Sequence, residues 1–435
     1  VIDFGSVSAE LRSLLADVAF PDVALVEQQL PSQPAIEDVA ASVKAALAEV
    51  RLPRGAVAVA VGSRGIARID EIVRALVTAL WAAGAQPFIV PAMGSHGASN
   101  AEGQRRVLAH LGITAESAGC PIHATMETVS LGRSTSGVEV FVDKLAFAAE
   151  AIVAVNRVKL HTSFRGPIES GPAKMLAVGL GKREGADSVH ADGWEAMHEH
   201  VPSAAQTVLA TGKIAFALAI LENADERPCR IVALPPHDLI ERERALLEAV
   251  RASFPRLPFR ELDVLAVDRV GKNVSGGGGD PNVTGRFPGR HMRGDIDVRR
   301  LVYMSLTPEG EGNGNGVGLA DVVTAELAAA YVPSATYLNA LTTTAAENSR
   351  LPMVMPTREL ALAAALKMVP GLADPRDARL VRILDTLHVR RFFASRAAVD
   401  DLARRATAPY QILTSFAQRP LDDHDYAPSA SERSA

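Results

Sequence analysis

The chain has 435 residues, 48% of them hydrophobic and 22% charged, with a formal net charge of −5. That length favours more than one domain with a sizeable buried core, and the acidic balance leaves no basic stripe for a phosphate backbone, so nucleic acid is not an expected partner. No run approaches the ~18 apolar residues that span a bilayer, and Cys120 and Cys229 are too few for a disulfide framework; no membrane partner and a reducing, cytoplasmic setting are the expectations.

Residues 1–34 carry turn signals at Phe20-Pro21-Asp22 and Pro31-Ser32-Gln33-Pro34 and are expected to wrap the body. Regular patterning follows: an amphipathic helix over 36–50, a buried strand over 57–61, a helix over 69–83, a strand over 87–90 and a helix over 100–111. Further uninterrupted apolar runs at 151–155, 214–221, 231–234 and 264–267 read as strands covered on both faces. Short apolar runs alternating with helices predict a doubly wound, mostly parallel α/β sheet over residues 1–270. The glycine-rich stretch Ser275-Gly276-Gly277-Gly278-Gly279-Asp280-Pro281, within a break over 272–294, is either an interdomain hinge or a loop over a ligand. Beyond it, a strand at 298–306, a helix at 319–330 and segments at 337–349, 359–367, 380–384 and 397–405 predict a smaller C-terminal α/β domain over 271–421. A second glycine-rich loop spans 310–318, and a polar, disordered tail is expected over 422–435.

In parallel α/β sheets functional residues collect in loops beyond the strand C-terminal ends. Three segments fall there: Gly62-Ser63-Arg64-Gly65, Met93 to Gly97, and residues 156–165. Ser63 and Arg64 suit a phosphate at a helix N-terminus, or form an ordinary solvated turn. His96 sits in the turn Gly94-Ser95-His96-Gly97, and His161 in a polar loop between Lys159 and Arg165, two cations that also suit a substrate carboxylate. Lys174, in Gly171-Pro172-Ala173-Lys174-Met175, precedes an apolar run; a buried lysine there is paired, neutral or modified, and a shallow one snorkels. His190 stands sixteen residues after it and reads alone as a helix-end histidine. Gly179-Leu180-Gly181-Lys182-Arg183-Glu184-Gly185 is one residue too long for a dinucleotide fingerprint, and His198 with His200 is too little for a zinc site.

Taken together, these segments resemble the nickel-pincer lactate racemase family of hydroxyacid racemases and epimerases. The resemblance rests on the Gly94-Ser95-His96-Gly97 turn, Leu160-His161, Ser170-Gly171-Pro172-Ala173-Lys174-Met175, and His190 in its place after that lysine. It implies a nickel pincer nucleotide: Ni2+ with a pyridinium-3-thioamide-5-thiocarboxylate mononucleotide, joined to Lys174 through a thioamide. His190 would supply the nitrogen of a square-planar set completed by sulfur and carbon, and soft sulfur with imidazole suits Ni(II). His96 and His161 would then be the acid/base pair, one for each enantiomer of a 2-hydroxy acid whose C2 hydrogen leaves and returns as hydride. The family's early loop reads Asp-x-Thr-Arg-Pro; Ser63-Arg64-Gly65 keeps the hydroxyl and the guanidinium alone. Lys272 stands as a candidate substrate ligand alongside Arg64, Lys159 and Arg165.

The resemblance thus implies an isomerase acting on a hydroxy acid other than lactate, with its site in a crevice between domains and separate enzymes supplying the cofactor. A one-way hydride-transfer oxidoreductase and a non-catalytic nickel-nucleotide-binding protein are the alternatives. Substrate and oligomeric state stay open.

Overall fold

The computed structural model describes residues 4–63, 65–289, 292–405, 409–418, 421 and 426. Among them fifteen strands follow in chain order: β1 Val23–Gln28, β2 Gly55–Val61, β3 Ala85–Pro91, β4 Thr128–Arg133, β5 Glu139–Asp143, β6 Ala151–Arg157, β7 Ile214–Glu222, β8 Pro228–Leu234, β9 Glu261–Val270, β10 Asp297–Leu306, β11 Val322–Thr324, β12 Met353–Met355, β13 Leu380–Ile383, β14 Arg391–Ser395 and β15 Tyr410–Ile412. The chain divides into two compact units, one of Pro31–Phe254 with Thr342–Thr344, the other of Val1–Leu30, Pro255–Leu341 and Ala345–Ala435.

The unit starting at Pro31 is built on a five-stranded sheet of order β3-β2-β6-β7-β8. The first four strands are parallel and β8 closes the edge antiparallel to β7. Val57, Val59, Val153 and Val155 are almost wholly buried, as expected of β-branched strands covered on both faces. The helix Ile69–Ala82 buries Ile72, Val73, Leu76, Val77 and Leu80 in the same core, which follows from their helical spacing. The hairpin β4–β5 was not anticipated; its outer strand is largely exposed and gives no clean apolar alternation.

The other unit carries an eight-stranded sheet of order β12-β11-β10-β9-β13-β14-β1-β15. Three expectations are corrected here. Residues 1–34 do not merely wrap the body, since β1 pairs with β14 and β15 and the helix Ala9–Ala16 precedes it. The boundary expected at 270 lies between Phe254 and Pro255, because β9 pairs with β10 and β13 and so belongs with the later strands. The helix expected over 319–330 begins as strand β11, consistent with the β-branched run Val322-Val323-Thr324, and is helical over Ala325–Ala330.

The two glycine-rich loops pack on each other: Asn315 Nδ2 donates to Gly276 O at 2.8 Å. A Cβ on Gly278, at φ +73°, would meet Asn315 O at 2.6 Å, so glycine is required by close backbone approach. Asp280 also caps a short helix, Pro281–Thr284, where no regular structure was expected. Of the expected disordered tail, all but Tyr426 lies outside the described residues; Tyr426 is buried and its hydroxyl bonds Asp268 at 3.2 Å.

Candidate active site

The chain runs from β2 outward to β3 and then returns across β2 to β6, so sheet order reverses between β2 and β6. At such a switch point the loops beyond the strand C-terminal ends part and leave a crevice. Ser63 follows β2, His96 follows β3, and His161 follows β6. The three loops are tied to each other and to the segment carrying Lys174 and His190. Ala92 N–H donates to Val61 O at 2.8 Å and Gly94 N–H to Gly179 O at 3.1 Å, while Asn156 Nδ2 donates to Gly171 O at 3.0 Å.

His96 is held on both sides. Its Nδ1 is 2.5 Å from Ser63 Oγ, and its carbonyl accepts from Gln104 Nε2, which also donates to Gly94 O. The turn after it bends through left-handed Gly97, Ala98 and Ser99, at φ +66°, +54° and +53°. A Cβ on Gly97 would stand 2.6 Å from Gln104 N, so only glycine fits. Two successive non-glycine residues in that region store strain that the surrounding contacts must hold. The following helix is capped by Asn100, which accepts from Gly103 N–H at 2.7 Å.

Gln104 is oriented in turn by Lys182, a fully buried lysine whose Nζ reaches Gln104 Oε1 at 3.1 Å, Pro91 O at 2.5 Å and Asp143 Oδ2 at 2.9 Å. Because the ammonium takes the amide oxygen, the amide nitrogen must face the His96 turn. The lysine that burial forces into a pair is therefore Lys182, whereas Lys174 is half-buried. Lys182→Ala leaves Asp143 buried and unpaired and should lower the unfolding free energy by roughly 3–5 kcal/mol, measured by urea denaturation. A loss within experimental error would contradict the pairing.

Lys174 ends a short helix, Pro172–Lys174, that runs into a π-helical turn over Met175–Gly179, with Leu180 N–H bonded to Met175 O at 2.8 Å. Such insertions concentrate at functional sites, and this one lies between the two residues expected to grip a cofactor. The helix Lys182–His190 follows, so the glycines at 179, 181 and 185 belong to a helical segment and form no dinucleotide turn. Glu243, fully buried, accepts from Ala173 N–H at 2.8 Å beside Lys174. Burial pushes its carboxyl up to about 8 against that one hydrogen bond. The folded state thus binds the proton more tightly than the unfolded chain, a contribution complete below the ordinary glutamate range and lost as pH rises through about 8. Glu243→Gln should flatten the fall in unfolding free energy between pH 5 and 8, the window between the ordinary glutamate value and the raised one. An unchanged pH slope would contradict that linkage.

His190, almost fully buried, donates from Nδ1 to Ala186 O at 2.7 Å. That fixes the tautomer and leaves the lone pair on Nε2, the arrangement found in metal-ligating histidines. Burial, then the nearby Lys174 ammonium, holds its pKa down to about 4, so the ring is neutral. Lys174 Nζ lies 5.2 Å from the centre of the Phe164 ring. Phe164 packs on His161 at 4.5 Å and on Trp194 at 6.3 Å; Trp194 meets His161 at 5.3 Å and stands nearly perpendicular to His190 at 5.2 Å. His161, Lys174 and His190 therefore surround one aromatic pair.

His161 accepts from Ser163 N–H through Nδ1 at 3.0 Å, so the neutral ring carries its proton on Nε2. Its own N–H donates to Glu169 Oε2 at 2.8 Å. Glu169 is buried and pairs with Arg165 and Arg251 at 3.4 and 2.6 Å. Burial raises the Glu169 pKa, opposed by the His161 N–H and the two guanidiniums. The positive pair expected to flank His161 is thus accompanied by a carboxylate.

The remaining expected site residues divide as follows. Ser63 spends its hydroxyl on His96, a contact that competes with the phosphate role expected for it. Arg64 lies outside the described residues. Lys159 pairs through its backbone with Ser170 at 2.9 Å. Lys272 belongs to the other unit, where Nζ donates to Gly276 O at 3.3 Å. Among the described residues no group of three or more His, Cys, Asp or Glu side chains could hold a metal, so the His198 and His200 pair makes no zinc site. A metal bound by one imidazole and an organic ligand needs no such group. Trp194, Gln104 and Lys182 were not singled out from sequence. The one available signal was Trp194 at four residues past His190, about one helical turn.

Fold and site together define an α/β protein with histidines and a lysine on adjoining segments at a sheet switch point. Residues 17–199 match the family described as lactate racemase N-terminal domain. Over that region the chain is similar to the lactate racemase family. Among solved structures, one of a Thermotoga maritima protein is similar at 14% identity and a TM-score of 0.49, covering 63% of this chain and 72% of that one. The lactate racemase apoprotein from Thermoanaerobacterium thermosaccharolyticum is similar at 14% identity and a TM-score of 0.44, covering 84% and 89%. No curated protein matches the chain. Among the described residues no helix is long and apolar enough to cross a membrane.

Proposed function

We propose that the chain carries a nickel pincer nucleotide on Lys174 and His190 and racemises or epimerises a 2-hydroxy acid. The observation that supports this most is the grouping of Lys174, His190 and His161 about Phe164 and Trp194, with His190 Nδ1 committed to Ala186 O. The half-buried Lys174 amine would form the thioamide and the His190 Nε2 lone pair would hold the metal. When bound, the group supplies an acceptor and donor of hydride, so the α-hydrogen need not leave as a proton.

The protein's part is to move the hydroxyl proton. His96, anchored through Nδ1 to Ser63, takes it from one enantiomer. For the other enantiomer His161 gives its Nε2 proton to the carbonyl oxygen from the imidazolium form, which carries a second proton on Nδ1 and so releases the bond from Ser163 N–H. In the reverse direction His161 must accept at Nε2, which places its own proton on Nδ1 and breaks the bond from Ser163 N–H. Arg165 and Lys159 are proposed to attract the carboxylate, and separate enzymes to make the cofactor.

The test is a chiral assay over a panel of 2-hydroxy acids, using protein co-expressed with the cofactor-synthesis enzymes. Loss of optical activity without net keto acid is expected. Net keto-acid accumulation would make the chain an oxidoreductase, and turnover of none of them a carrier.

A further inference from the structure

Trp194 opens the single turn Trp194–Ala196 before the helix Met197–Ala210. Its plane is fixed on three sides, 16° from parallel with Phe164, tilted 42° to His161 and 86° to His190. The indole Nε1–H is nevertheless buried and has no acceptor among the described residues. A buried donor left unmet loses its hydration without a replacement bond. The contrast lies within the same chain: its other tryptophan, Trp81, is 47% exposed and still donates to Gly119 O at 3.2 Å. A donor that is desolvated, rigidly oriented and flanked by two histidines of the site is arranged for a ligand atom.

We propose that Trp194 is a ligand-binding residue whose Nε1–H donates to an acceptor atom of the molecule held between His161 and His190. This rests on the reading of that cluster as the active site. An indole nitrogen donates only, so it selects a lone pair: an oxygen of the hydroxy acid, or a sulfur or oxygen arm of the nickel nucleotide. It takes no proton itself and leaves the acid/base work to the histidines.

The full chain labelled with 15N-tryptophan gives two indole signals, which Trp81→Phe assigns. On ligand binding the Trp194 signal should move downfield and exchange more slowly with water, while Trp81, already bonded, stays in place. A move on loading with the nucleotide identifies the cofactor as acceptor, and a move only on adding a 2-hydroxy acid identifies the substrate. Trp194→Phe keeps the ring and removes the donor. If the acceptor is the substrate, KM should rise about tenfold at unchanged kcat, nickel content and adduct mass; if it is the cofactor, nickel content should fall at unchanged KM. The unloaded chain, titrated with the same acids, separates two failures. A Trp194 signal that stays in place in loaded and unloaded protein alike overturns the donor role. A signal that moves in a protein showing neither adduct nor turnover supports the donor role and ends the racemase reading alone.

Discussion

His96→Ala and His161→Ala, each in cofactor-loaded protein, should lower kcat for racemisation by about 10²–10⁴-fold, the usual worth of a positioned acid or base. Nickel content and adduct mass should be unchanged, because neither ring is proposed to hold the cofactor. The variants should differ in kind. In single-turnover experiments each should still form bound keto acid from one enantiomer and fail with the other, with opposite preferences. The structure gives a reason for expecting inequality: His96 leans on a hydroxyl that can give or take a proton, while His161 faces a backbone N–H that can only give one. Equal loss with both enantiomers in both variants would contradict the division of labour.

His190→Ala should strip the metal while leaving the covalent adduct on Lys174, with nickel affinity reduced by at least about 100-fold, since even a supporting partner of a metal ligand is worth 10–100-fold. The variant also removes a buried ring that packs on Trp194. Unfolding should therefore be measured alongside, and His190→Gln, which keeps more of the volume, serves as the companion. Full nickel content in both would remove His190 from the metal site.

The parallel sheet was legible because β2, β6 and β7 are uninterrupted apolar runs, and buried parallel strands have no other way to look. The loops bearing Ser63, His96 and His161 were legible for the same reason, following directly from where those runs end. Strand β1 and the boundary before Pro255 were not, because β1 finds β14 only across most of the chain. Local patterning carries no record of that pairing. Lys174 and His190 were recognisable only as part of a spaced set; each is locally ordinary. Lys182 was hidden in a glycine run weighed only as a dinucleotide fingerprint and set aside for its spacing. Its role appears only once Asp143 and Gln104 arrive from other elements to meet it. Trp194 was hidden because the partners that orient it, Phe164 and His161, come from a loop about thirty residues earlier.

The most direct test is intact-mass and nickel determination on the parent chain and Lys174→Ala, both co-expressed with the cofactor-synthesis enzymes. The parent should gain the mass of the tethered nucleotide with one nickel per chain, and Lys174→Ala should show the bare polypeptide mass. A parent without the increment, or a Lys174→Ala protein that keeps it, would contradict the assignment of this lysine as the tether.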